Sequence, residues 1–275
     1  MQQQSLPLGV NVSQLPVTTS GDLDLGIQVI LKRKEAEQPF RFFADAAEFY
    51  TNNVFLSRNN RQSDSYFFAD VGFTYQRKIT DELSLETTVR QGFFRYSQYR
   101  EVDFEDFNAG VGLTYDWKKL WDINLFSRYN FERFTSGDIS SDFFRNHTIT
   151  VGAQKSFYFN NQSNQGNYAY LGYSSIFGWS TPTSSQRNEH GFFSGVHYNF
   201  TRKFSGDIYY RIAAFTYEVG RTDLNQTVVV SLAYIFNDYA RLTASASYAS
   251  DISNHSVFNY DLFTTGGGIA LQLKF

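Results

Sequence analysis

Apolar and polar residues alternate in the last stretch of the chain, and this pattern limits the fold more than any other feature. The apolar residues at every second position are Ile269, Leu271, Leu273 and Phe275, and Ala270, Gln272 and Lys274 lie between them. Successive side chains of a β-strand point to opposite faces. The pattern therefore predicts a strand with one apolar face and one small or polar face, as in a wall between lipid and a polar lumen.

The same alternation returns along the chain from Phe40 onward. Predicted strands cover residues 40–51, 64–79, 83–98, 104–118, 121–134, 144–159, 167–180, 189–201, 204–218, 225–237, 240–250 and 259–275. They are longer than the roughly 5–6 residues usual in globular proteins, which disfavours the alternative of a soluble sandwich. Short and long connections alternate between them, an asymmetry typical of short periplasmic turns and long extracellular loops. No run of about 18 apolar residues exists, which excludes transmembrane helices.

The last strand resembles the C-terminal strand of Gram-negative outer-membrane β-barrel proteins of the porin-like class. In that class, alternating apolar residues and a final aromatic residue form the signal for barrel assembly. The resemblance assigns this role to Ile269, Leu271, Leu273 and Phe275, although the class usually has Gly where this chain has Ala270. It implies a location in the bacterial outer membrane, with membrane lipid, lipopolysaccharide and the barrel assembly machinery as partners.

Two domains are expected: an N-terminal segment, 1–39, and a transmembrane antiparallel up-and-down barrel, 40–275. Residues 23–31 alternate as well, and Val10 and Val12 could add a short strand, which predicts about fourteen strands, an even number as in most such barrels. The alternative is twelve strands, with segment 1–39 as a plug or a periplasmic arm. Met1 precedes a polar stretch without a secretion signal, so we interpret the chain as a mature form whose native signal peptide is absent.

Aromatic residues make up 19% of the chain, with 29 Phe and 19 Tyr, and girdles at the two membrane interfaces would account for this excess. The predicted periplasmic girdle is Trp117, Trp121, Phe157, Phe200, Phe204 and Phe275. The predicted outer girdle is Phe55, Phe93, Phe131, Trp179 and Phe263.

The opposite face of the strands predicts a polar lumen with charges of both signs. Its candidate lining residues are Asp70, Glu86, Arg90, Asp116, Arg128, Glu132, Asp207 and Arg211. They could line a water-filled pore and select solutes. Alternatively, Glu86, Arg90, Arg128 and Glu132 could form ion pairs that only fill the interior.

The function predicted from these features is a porin-like channel for passive diffusion of small hydrophilic solutes. The alternative is a closed structural, adhesin or partner-binding barrel that carries recognition on its long loops, and a lipid-active enzyme ranks third. We predict that the chain is not an enzyme, because the nearest nucleophile–base combination, His255 beside Ser256, consists of adjacent residues in a predicted loop. Neither a metal site nor a cofactor is expected, and a net charge of −3 argues against a nucleic-acid partner.

Overall fold

The computed structural model describes residues 38–137, 141–159 and 166–275. Its strands are β1 Phe40–Thr51, β2 Asp64–Lys78, β3 Leu83–Tyr96, β4 Phe104–Trp117, β5 Ile123–Ser136, β6 Asp142–Tyr158, β7 Tyr168–Thr181, β8 Arg187–Asn199, β9 Phe204–Tyr217, β10 Thr222–Asn237, β11 Ala240–Ser253 and β12 Tyr260–Lys274. Single turns of 3-10 helix lie in the long loops at Arg100–Val102, Thr183–Ser185 and Ser256–Phe258. Within these ranges no helix has the length and apolar character needed to cross a membrane.

The twelve strands form a closed antiparallel barrel in which each strand pairs with its neighbours in sequence, and β1 pairs with β12. Phe42 of β1, for example, lies opposite Phe73 of β2 on one side and Leu273 of β12 on the other. Both edges of every strand are thus hydrogen-bonded. A sheet that crosses lipid requires this closure, because the hydrocarbon offers no water to an unpaired N–H or C=O group.

The expected fourteen strands are wrong, and the twelve-strand alternative is confirmed. The pairing of β1 with β12 runs from Arg41 opposite Lys274 to Thr51 opposite Thr264 and leaves no open edge for further strands. Alternation of apolar and polar residues indicates that a segment has two different faces, but it does not indicate whether that segment is a strand of the barrel. The strand predicted at 23–31, the short strand at Val10 and Val12, and the plug or arm all fall in residues 1–37, outside the described ranges.

The outer surface is the apolar face that the alternation predicts. On β10, Val228, Val230 and Leu232 are exposed, whereas Val229 and Ser231 between them are buried inside the barrel. Several predicted girdle residues, Trp117, Phe157, Phe200 and Trp179 among them, are exposed near the ends of their strands or in the adjoining turn. An exposed apolar band bounded by aromatic residues is the surface that a bilayer covers.

Many aromatic residues nevertheless point into the barrel, which the girdle interpretation does not account for. Phe49, Tyr66, Phe68 and Phe94 form a buried cluster at the end of the barrel that carries the long loops. Phe104 extends it, with its ring stacked 4.2 Å from that of Phe94. The aromatic excess therefore serves the interior as well as the two interfaces.

The closing seam between β1 and β12 depends on small residues. Gly266 and Gly268 lie so close to β1 that a Cβ atom on them would be 2.2 Å from the Glu48 carbonyl oxygen and 2.1 Å from that of Ala46. At the other end of the seam, Phe40 and Phe275 exchange backbone hydrogen bonds of 3.0 and 3.1 Å, and their rings stack at 5.8 Å. The glycines of the last strand thus permit close approach of β1 and β12, while the assembly role of Phe275 stays a prediction.

A larger side chain at the seam should weaken the closed ring. We expect Gly268→Val to destabilise the barrel by about 1–3 kcal/mol, because its methyl groups would collide with the β1 backbone. The measurement is urea unfolding in phospholipid vesicles, with the heat-modifiable shift on SDS gels as a second readout. Thr264→Val is the matched control, since it creates the same residue on the same face of β12 at a position that already carries a branched side chain. Equal stability of the two variants would contradict this role of Gly268.

Candidate functional site: the charged lumen

The barrel places all eight predicted lining residues on its inner face, at two levels along the axis. Glu86, Asp116, Arg128 and Asp207 lie in the half nearer the short turns, judged by their positions along the strands. Asp70, Arg90, Glu132 and Arg211 lie near the middle or toward the long loops. The second group is buried, whereas the side chain of Arg128 in the first is 29% exposed.

Arg90 is the centre of a first ion network on β1 to β5. It donates a hydrogen bond to Asp106, and its Nη1 atom lies 3.7 Å from Oδ2 of Asp70. Asp45 lies directly opposite Asp70 across the pairing of β1 with β2. Two facing carboxylates destabilise a sheet unless cations offset them. Arg90 and Arg241, which also acts electrostatically on Asp45, supply that positive charge.

A second network lies on β8 and β9, and Glu189 is its centre. The Glu189 carboxylate accepts hydrogen bonds from Arg187 Nε at 2.8 Å and from Arg211 Nη2 at 2.7 Å. Arg187 also lies 4.5 Å above the ring of Phe215. A carboxylate held by two arginines, one of them on an aromatic face, is a strong and directional arrangement inside a barrel.

The two networks lie within electrostatic range of each other across the lumen, because the charge of Arg187 on β8 acts on Glu132 of β5 and on Asp251 of β11. At this level Asp70 is 3% exposed, and Arg90 and Arg211 are each 6% exposed. The charged side chains therefore form a packed layer across the barrel. We call this set, Asp45, Asp70, Arg90, Asp106, Glu132, Arg187, Glu189 and Arg211, the charged layer.

Below the charged layer, on the side of the short turns, the lumen is more open. Arg128 of β5 donates to Glu86 of β3, and the two side chains meet over Gly112 of the intervening strand, which lies opposite both. His197 Nδ1 and Asp207 Oδ1 are 2.7 Å apart. The pairing of Glu86 with Arg128 is one of the ion pairs that the sequence suggested. The side chains of Arg128 and Glu86 are 29% and 14% exposed, so this part of the lumen has a polar wall that is less buried than the charged layer.

Sequence reasoning missed several members of the charged layer. Asp106 is the direct partner of Arg90, and Glu189 is that of Arg211, yet neither was among the predicted lining residues. The alternation of side chains could have identified both residues. Asp106 lies two positions from Asn108, and Glu189 lies two positions from Gly191, so each points into the barrel as its neighbour does. The choice of partner was not predictable, because it depends on the stagger of neighbouring strands.

Histidine and serine also meet at a place that the sequence did not indicate. His255 and Ser256 lie in a loop, where the His255 backbone N–H donates to Ser253. On the outer face, by contrast, Ser175 Oγ lies 3.0 Å from His190 Nδ1, and the Tyr173 hydroxyl lies 3.2 Å from the same nitrogen. Over the described ranges, no group of His, Cys, Asp or Glu residues is arranged to hold a metal ion.

Comparison with known proteins gives matches of fold rather than of sequence. No family model matches the chain, and no curated protein matches it. An outer membrane channel from Pseudomonas putida F1 has a TM-score of 0.59 at 10% identity, covering 89% of this chain and 100% of that one. The translocator domain of the autotransporter NalP from Neisseria meningitidis has a TM-score of 0.47 at 8% identity, covering 86% and 90%. LpxR from Salmonella typhimurium also has a TM-score of 0.47 at 8% identity, covering 83% and 99%.

The chain is thus an outer-membrane β-barrel, as its C-terminal pattern implied. The closed ring with an apolar outer band suits the same location in the bacterial outer membrane. The prediction that the chain is not an enzyme is wrong as an exclusion. One fold hosts many unrelated functions, so a barrel architecture gives no ground for excluding catalysis.

The charged layer predicts unequal effects of removing its arginines. We expect Arg90→Ala to destabilise the barrel by about 3–5 kcal/mol, because it leaves buried carboxylates without their cation. Arg128→Ala is the control and should cost about 1 kcal/mol or less, since its pair is partly solvated. Urea unfolding in vesicles measures both. Similar losses for the two variants would show that Arg90 is not the centre of a buried network.

Proposed function

We propose that this barrel is a narrow outer-membrane channel for small hydrophilic solutes, with the charged layer as its constriction. The observation that carries the proposal is a series of charged inward side chains along the lumen. It begins with Glu86 and Asp207 near the short turns and continues through Arg90 to Glu189 toward the long loops. Such a wall can replace part of the hydration shell of a small polar solute.

The charged layer limits what such a channel can pass. Its residues are buried against one another, so a solute must exchange partners with Arg90, Arg211 or their carboxylates as it crosses. Ions and other small polar species can do this, because they offer charge or hydrogen bonds in return. The expected conductance is therefore small, and the expected selectivity depends on charge as well as size.

A closed barrel is the second candidate, and the burial of the charged layer favours it. The inward aromatic cluster around Phe68 and Phe94 also fills space above the layer. In this case the long loops would carry recognition of a partner, and the lumen charges would only stabilise the interior. Conductance separates the two candidates, because a filled barrel passes no current.

Single-channel recording in planar bilayers tests the proposal. We expect small, ohmic and reproducible steps from the purified protein. Arg128→Ala should shift selectivity toward cations, since it removes a positive charge from the hydrated part of the lumen. Arg61→Ala is the control and should leave selectivity unchanged. Arg61 pairs with Asp261 at 2.7 Å near the long loops. Asp261 accepts a hydrogen bond from the outward-facing Tyr248, so this pair lies on the outer face of the barrel. If the protein conducts and Arg128→Ala has the same ion selectivity as the wild type, the role of Arg128 is contradicted.

A paired variant tests the constriction itself. Glu189→Gln combined with Arg211→Gln removes one charge of each sign, so the barrel gains no net charge from the change. We expect a larger conductance, because two neutral amides hold each other less strongly than a buried ion pair. Absence of current from both the wild type and this variant, with folded β structure shown by circular dichroism, would reject the channel in favour of the closed barrel.

A further inference from the structure

Outward-facing tyrosines form a regular series on β5 to β12. On each of four consecutive hairpins, one tyrosine hydroxyl is hydrogen-bonded to a polar side chain on the next strand. The four pairs are Tyr129–His147 (2.7 Å), Tyr173–His190 (3.2 Å), Tyr210–Gln226 (3.1 Å) and Tyr248–Asp261 (2.9 Å). We call them the tyrosine pairs.

All tyrosine pairs share one register. Tyr129 lies directly opposite Ile149, and its partner His147 lies two residues before Ile149, one step nearer the long loops. The other tyrosines lie opposite Phe192, Val228 and Phe263, and each partner again lies two residues earlier. Every tyrosine thus points its hydroxyl toward the outer rim.

This repetition marks the outer edge of the hydrocarbon on this side of the barrel. A hydroxyl in hydrocarbon is costly without a partner, whereas tyrosine is favoured where its ring meets lipid and its hydroxyl meets polar groups. The contact of Ser175 with His190 belongs to the same pattern, because His190 is also the partner of Tyr173 in one of the tyrosine pairs. Groups above the tyrosine pairs therefore lie in the layer of the lipid head groups.

Two arginines occupy that layer on the first of these hairpins. Arg133 of β5 and Arg145 of β6 lie directly opposite each other, two residues above the facing pair Phe131 and His147. Two residues of a tilted strand rise by about 5–7 Å. The Asp142 carboxylate accepts from Arg133 Nε at 2.8 Å and from Arg145 Nε at 3.0 Å.

The charges of this group do not balance. Two facing like charges destabilise a strand pair, and one carboxylate offsets only one of them. Two other arginines on this rim each pair with one carboxylate: Arg61 with Asp261 and Arg95 with Glu105. The side chains of Arg133 and Arg145 are 41% and 56% exposed, so their guanidinium groups are accessible at the head-group level.

We infer that Arg133 and Arg145 bind a phosphate group of an outer-leaflet glycolipid. The planar guanidinium presents paired N–H donors that match phosphate oxygens, and an anion here would offset the excess positive charge. A lipid rather than a dissolved phosphate is the expected source, because the apolar stripe of Ile149 and Val151 below the arginines offers a surface for acyl chains. The site lies outside the lumen, so it does not depend on whether the barrel conducts.

The test uses the full chain in detergent with bisphosphorylated lipid A as the probe, and native mass spectrometry measures the bound lipid. We expect the wild type to retain this lipid about tenfold better than Arg133→Gln combined with Arg145→Gln. Arg133→Lys combined with Arg145→Lys keeps both charges but loses the planar, paired N–H donors of the guanidinium groups. This variant should retain an intermediate amount of the lipid. Arg61→Gln is the matched control, and it should bind as the wild type does. Heat-modifiable migration on SDS gels must show that each variant is folded.

Two further probes identify the group that is recognised. Lipid A without phosphates should bind weakly to every variant, and millimolar inorganic phosphate should not displace the phosphorylated lipid. Equal retention by the wild type and the folded Gln variant would overturn the inference. So would equal binding of the lipid without phosphates, complete displacement by inorganic phosphate, or a loss in Arg61→Gln as large as that in the double variant.

Discussion

Closure of the hydrogen-bonded ring is the constraint on which the rest of this structure depends. In a bilayer, each unpaired backbone group costs several kcal/mol, so a sheet can cross only when its first and last strands meet. Here β1 meets β12 along eleven residue pairs, and glycines at 266 and 268 allow the two backbones to approach. The apolar outer face and the polar inner face follow from the same closure, because each strand must present one side to lipid and the other to the lumen.

The inner face then has to accommodate charge in a confined space. The barrel does so with two ion networks, one centred on Arg90 and one on Glu189. Buried ion pairs add little to stability compared with apolar packing, but removal of one partner is expensive. The same property fits a narrow charged passage and a filled interior, and the difference lies in whether the pairs can exchange partners with a solute.

Much of the barrel was predictable from the sequence, because alternation is a direct record of lipid on one side and polar groups on the other. The prediction of 40–51 for the first strand matches β1, and the inward positions of Asp70, Arg90 and Arg128 are also as expected. The strand number was not predictable in this way, since residues 23–31 show the same alternation as strands of the ring. Contacts such as Arg90 with Asp106, or Ser175 with His190, depend on the register between strands, which a single sequence does not record.

The meeting of Glu86 with Arg128 over Gly112 has a consequence for the way the barrel folds. A strand that slips by two residues keeps its apolar side toward lipid, so the hydrophobic pattern alone does not oppose such an error. The ion pair joins β3 to β5 across Gly112 of β4, which leaves room for the two side chains to meet. A two-residue slip of β4 would replace that glycine with Gly110 or Thr114. With Thr114 the branched side chain would stand in the path, so the ion pair opposes a slip in that one direction.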